Sequence, residues 1–140
     1  MNSRYIIFAD DDADDLELIT GFFKQFNSRV QVLEFRNGKE VLNFLGEFSK
    51  NGNLPQLIVL DINMPRMNGK ETLLAIRDHP YYKNIPVVIY STSNSASDQQ
   101  FCKNYKATWV TKPETVDGVK QTARIIAEFC SMNPPDQKQF

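Results

Sequence analysis

Cysteine is nearly absent from this chain. Cys102 and Cys130 lie far apart and no C-x-x-C pattern joins them, so a disulfide framework is not expected and both read as reduced, packing thiols of a cytoplasmic protein. Histidine is scarcer still. The single His79 falls beside Pro80 in a predicted loop and reads as a surface residue, and without His and Cys near the acidic clusters zinc is disfavoured. Charge of one sign is also missing: 16 Lys and Arg against 17 Asp and Glu leave a net charge of -1, so no basic field is available for nucleic acid or an anionic membrane. No apolar run approaches the roughly 20 residues of a transmembrane helix. Met1 to Arg4 leads straight into a short apolar strand, so no signal peptide is expected. Repeats and low-complexity linkers are absent too, and 140 residues suit one domain.

What is present is an alternation of strands and helices. Leu57-Ile58-Val59-Leu60 is continuously apolar and bounded by turn residues, which suggests a strand covered on both faces, and it ends on Asp61. Taken alone, Asp61 reads equally as a cap of the next turn. Tyr5 to Ala9 is a second buried strand, ending on Asp10, Asp11 and Asp12. Further strands are expected at 30–35, at 86–90 before Ser91 and Thr92, and at 108–111 before Lys112. Helical spacing appears in Leu16, Ile19, Phe22, Phe23 and Phe26, and in Val41, Leu42, Leu45 and Phe48. Helices are also expected over about 70–78, 96–106 and 114–132, the 96–106 segment being the most loosely held. Five such alternations imply a parallel sheet with helices on both faces, one domain over 1–133, and a flexible tail over 134–140.

In a parallel sheet the residues just past each strand become neighbours. Here these are carboxylates, hydroxyls and one ammonium. Grouped carboxylates repel one another unless a cation joins them, and an oxygen-only set suits Mg²⁺. A carboxylate facing Mg²⁺, a lysine and a hydroxyl is equipped to attack phosphorus and form an aspartyl phosphate. Other patterns fit less well. Asp10-Asp11-Asp12 gives the D-x-D element of haloacid dehalogenase phosphatases, but Asp14 stands where Thr or Val is wanted and Asp61 is left without a role. Asp10, Asp12 and Asp14 begin an EF-hand loop, but Asp15 replaces its glycine and Gly21 its final glutamate.

Asp10-Asp11, Asp61-Ile62-Asn63-Met64-Pro65, Ser91-Thr92 and Thr111-Lys112-Pro113, in this order, resemble the receiver domain of two-component response regulators. The resemblance covers nearly the whole chain. It implies a flavodoxin-like fold with strand order 2-1-3-4-5. It implies Asp61 as phosphoacceptor, Asp11 as a direct Mg²⁺ ligand, Asp10 as a second or water-mediated one, and the Asn63 backbone carbonyl completing the set. Ser91 then follows the phosphoryl group, Lys112 binds it, Trp109 stands at the switch aromatic, usually Tyr or Phe, and the Lys112-Pro113 bond is cis. Asp12 makes the acidic pair a triplet, which leaves open whether it joins the metal site. The implied function is that of a stand-alone signalling domain rather than an enzyme. It takes phosphate from a histidine kinase or phosphotransfer protein and loses it slowly, since neither Asn63 nor Ser93 is an obvious base. An unidentified downstream protein reads the result, and a homodimer through the last two strand-helix units is allowed. A receiver that binds partners without phosphorylation is the alternative.

Overall fold

Burial separates the five strands into two kinds. Tyr5–Ala9 (β1) and Ile58–Leu60 (β3) are buried at every position and Val87–Ser91 (β4) at all but one, whereas Gln31–Phe35 (β2) and Thr108–Thr111 (β5) are half-buried or exposed throughout. The first three are therefore central and the last two are edges, as the computed structural model, which describes residues 4–48 and 52–132, shows directly. The sheet is parallel throughout, in the order β2-β1-β3-β4-β5. This is the flavodoxin-like order that the resemblance implies.

Successive strand residues point to opposite faces, so the apolar runs feed two cores. Ile6, Phe8 and Val59 pack with the helices Ala13–Phe26 (α1) and Val116–Met132 (α5), through Leu16, Ile19, Phe23, Ala123, Ile126 and Cys130. Ile7, Ile58, Leu60 and Ile89 pack on the other face under Gly38–Phe48 (α2), Gly69–Asp78 (α3) and Ala96–Asn104 (α4). Both cysteines are buried and free, as their packing role required. No helix of the described residues is long and apolar enough to cross a membrane. The expected tail lies outside the described residues.

Three local expectations are corrected. Phe48 is 60 % exposed instead of inward; Phe44 takes the inner place against Tyr5 and Phe35, and Phe48 only stacks on Phe44 at 4.9 Å. The fourth helix ends at Asn104 instead of 106. Lys106 adopts φ 61 and its N–H donates to Lys103 O, while Ala107 N donates to Cys102 O, a helix-ending turn usually announced by glycine, which this sequence does not use. Arg77 adds its guanidinium to that turn, donating to Tyr105 O at 2.7 Å and Lys106 O at 3.4 Å, and ties it to Ile85 O at 2.8 Å. The last helix starts at Val116 instead of 114, because the Thr115 hydroxyl accepts the Gly118 N–H at 3.0 Å and caps it.

Helix starts at the upper edge of the sheet hold the loops around the acidic residues. Asn68 and Glu71 form a reciprocal capping box on α3 at 2.9 and 3.0 Å. Ser95 caps α4 through Asp98 N at 3.1 Å, and Asn37 accepts Glu40 N at 3.0 Å at the start of α2.

Candidate functional site

The register brings the four strand tips together. Ala9 pairs with Leu60, Leu60 with Ile89 and Ser91 with Thr111, so Asp10, Asp61, Ser91 and Lys112 emerge along one edge. Lys112 is the hub. Its Nζ lies 2.8 Å from Asp10 Oδ2, 2.8 Å from Asp15 Oδ2 and 3.3 Å from Asp61 Oδ2, with its side chain only 8 % exposed. The ring of Tyr90 flanks the ammonium at 5.7 Å.

The carboxylates are held unequally. Asp10 is buried and has both oxygens engaged, Oδ2 by Lys112 and Oδ1 by the Asp12 N–H at 2.9 Å. Asp61 is buried as well, but its contacts are longer: 3.3 Å to Lys112 and 3.4 Å from the Asn63 N–H. Asp11 is exposed. Asp10, Asp11 and Asp61 present carboxylate oxygens within 4.8 Å of one another, an arrangement able to share one cation. All donors are hard oxygens, which fits Mg²⁺ and not a thiophilic metal.

Asp12 has another task. Its Oδ1 accepts the N–H groups of Asp14 and Asp15, both at 3.1 Å, so the third acid of the triplet caps α1. Residues from Ala13 onward are helical, which removes the calcium-loop reading. Asp15 joins the site without having been expected there. The sequence marks it only as an acid favourable to the helix dipole, and the signal that places it near the strand tips is its position in the first helical turn directly after the first strand.

The expected cis bond before Pro113 is not found: among the described residues every peptide bond is trans. A trans Lys-Pro bond is favoured by about 0.5–1 kcal/mol, and Lys112 reaches all three carboxylates from it. Ser91 is fully buried and its Oγ accepts the Ser93 N–H at 3.2 Å. Ser93 Oγ in turn donates to Asp98 Oδ2 at 3.4 Å, and Asp98 pairs with Lys70 at 2.8 Å. Trp109 is half-buried beside the α4 core, its Nε1 donating to Thr111 Oγ1 at 3.2 Å.

Burial, and next the neighbouring bonds and charges, set the electrostatics. Desolvation pushes the Asp10 carboxyl up to about 6; the Lys112 and Asp12 bonds oppose this and the Asp61 charge adds to it. Burial works against the Lys112 ammonium, but its bonds to Asp10 and Asp15 and the charge of Asp61 outweigh it and raise its pKa. The native state therefore binds the Asp10 proton more tightly than the unfolded chain. Its contribution is fully present below about pH 4 and is lost as pH rises through about 6, on the order of 2–3 kcal/mol for the metal-free protein. Asp10→Asn removes that loss. In chelator at pH 7.5 the variant is expected to be more stable by about 1–2 kcal/mol, part of the gain being offset by Lys112 losing an anionic partner, and the two proteins should converge near pH 4. Thermal melts across this range check it; a variant that melts lower at pH 7.5 would show that the Lys112 pair outweighs desolvation.

Residues 6–124 match the family described as the response regulator receiver domain. The response regulator Rcp1 of Synechocystis sp. is 33% identical over 98 residues, which are 68% of this chain and 66% of that protein, just under two thirds of its length. The crystal structure of a phosphorylated cyanobacterial phytochrome response regulator, RcpA, superposes with a TM-score of 0.82 at 29% identity, over 90% of this chain and 92% of that one. A Mn²⁺-bound form of Rcp1 superposes at 0.80 with 26% identity, over 90% and 93%.

Proposed function

The chain belongs to the response regulator receiver family of two-component signalling, and from that premise we propose that Asp61 accepts a phosphoryl group from a histidine kinase or a phosphotransfer protein. The observation that carries this reading is the unequal hold on the two buried carboxylates. Asp10 has both oxygens tied at 2.8–2.9 Å, whereas Asp61, at the tip of the central strand, keeps its oxygens on contacts of 3.3–3.4 Å and is the freer nucleophile. An Asp61 oxygen attacks phosphorus, the new O–P bond forms as the P–N bond to the donor imidazole breaks, and the imidazole leaves with a proton from solvent. Lys112 stands to neutralise phosphoryl oxygens, and the Ser91 hydroxyl to donate to one of them.

Asp10, Asp11, Asp61 and the Asn63 carbonyl would hold Mg²⁺, which when bound supplies positive charge to the phosphoryl oxygens. The Mn²⁺-bound form of the relative Rcp1 supports a divalent ion here.

The signal leaves through the β4–α4 loop. If Ser91 Oγ turns toward the phosphoryl group, the Ser93 N–H loses its acceptor, and the Ser93-Asp98-Lys70 chain that steadies the start of α4 is disturbed. Cys102 is the one fully buried side chain of α4, so little core holds that helix in place. Trp109 beside it is the switch aromatic, and the face formed by residues 99–105, Trp109 and α5 meets the downstream protein.

Incubation with a small acyl phosphate and Mg²⁺ is expected to raise the intact mass by one phosphoryl group, with no gain in chelator, and fragmentation should place it on Asp61. Trp109 is the only tryptophan, so its emission reports the switch in the same sample. No gain under conditions that label another receiver would favour a phosphorylation-independent binding module; labelling without an emission change would remove the switch role of Trp109.

A further inference from the structure

An ammonium has three protons, and Lys112 meets three carboxylates. Two of these, Asp10 and Asp61, also belong to the group that can share a cation; Asp15 does not. Asp15 reaches Lys112 Nζ at 2.8 Å from the first turn of α1, across 97 residues of sequence. Its backbone is held there by the Asp12 cap, which accepts the Asp15 N–H at 3.1 Å. Although the Asp15 side chain is 42 % exposed, that of its partner is 8 % exposed, so the contact is screened from one side only.

We propose that Asp15 is a positioning residue for phosphoryl transfer, fixing the Lys112 ammonium at the mouth of the site so that it stands ready for the phosphoryl oxygens on Asp61. The inference rests on the reading of Asp61 as acceptor. A cation on Asp10 and Asp61 draws on the charge of both, and Asp15 is then the one anionic partner left wholly to Lys112. Without it the long lysine side chain regains rotamer freedom and spends less time in the reacting arrangement.

The test uses four full-length proteins: wild type, Asp15→Ala, Lys112→Met and the double variant. Their labelling by a small acyl phosphate is followed at saturating Mg²⁺. Asp15→Ala is expected to lower the rate at saturating donor about five-fold, the scale of one partly exposed ion pair, with the half-saturating donor concentration changed less than about two-fold. In the Lys112→Met background the same substitution should change nothing further, and Asp15→Glu should recover part of the loss. An equal slowing in that background would mean that Asp15 acts through the charge at the helix start, and wild-type rates in Asp15→Ala would mean that it does not act at all; either overturns the proposal. Thermal melts of the same four proteins read the pair without any phosphoryl transfer, and additive shifts there would also overturn it. An unlabelled wild type is a separate result, which removes the acceptor reading itself.

Discussion

Asp61→Asn is expected to take no phosphoryl group under conditions that label the wild type completely. The substitution keeps the shape of the side chain, so the bond from the Asn63 N–H at 3.4 Å can be retained by the amide oxygen while the anionic oxygen proposed as nucleophile is lost. Neither neighbour is placed to substitute for it. Asp10 is anchored on both oxygens, by Lys112 at 2.8 Å and by the Asp12 N–H at 2.9 Å, and Asp11 is exposed at the start of the loop rather than buried against Lys112. The fold should survive, because the change removes one charge from a group of three carboxylates within 4.8 Å and adds no volume. On the proposed ligand set of Asp10, Asp11 and Asp61, Mg²⁺ should bind on the order of ten-fold more weakly, since one charged oxygen ligand is lost. Intact mass, a thermal melt and a calorimetric Mg²⁺ titration on one preparation check all three points. Labelling of the variant at the wild-type rate would move the acceptor to another carboxylate.

The second large effect concerns a residue without a side chain. Gly69 opens α3, and its N–H donates to Ile62 O at 2.9 Å. A Cβ placed there would land on the Asp61 carbonyl oxygen and stand 3.0 Å from the Asp61 carbonyl carbon and 2.9 Å from Ile62 Cα. All three are backbone atoms, so no side chain can swing aside; either α3 moves off the sheet or Asp61 is displaced. Gly69→Ala is expected to cost about 3 kcal/mol, lowering the melting temperature by about 6–12 °C, and to slow labelling as well. Gly21→Ala is the control. It lies on the exposed side of α1 with nothing within 4 Å of an added Cβ, so it should be neutral or stabilising by roughly 0.5–1 kcal/mol. A Gly69→Ala protein that melts and labels like Gly21→Ala would show that this loop tolerates the movement.

The two glycines read alike in the sequence, each an isolated Gly in or beside a helical pattern. They separate only when the loop after β3 is folded back over Asp61. The same holds for the acids. That Asp10 and Asp61 sit at neighbouring strand tips was legible, because a strand buried on both faces is written in a continuous apolar run and a parallel sheet sends every such strand to one edge. Which oxygens the ammonium of Lys112 would meet was not legible.

Local pattern therefore determined the ten elements, the two-sided core and the strand tips that carry Asp10, Asp61, Ser91 and Lys112, and family resemblance added the order of the strands. Tertiary structure decided the rest: that Asp12 caps a helix while Asp15 reaches Lys112, that the bond before Pro113 is trans, that Phe44 and not Phe48 covers the edge strand, and that α4 stops in a left-handed turn at Lys106. The division has one physical reason. Apolar periodicity is a property of consecutive residues, whereas a hydrogen bond is settled by differences of less than an ångström between groups as far apart in sequence as Asp15 and Lys112.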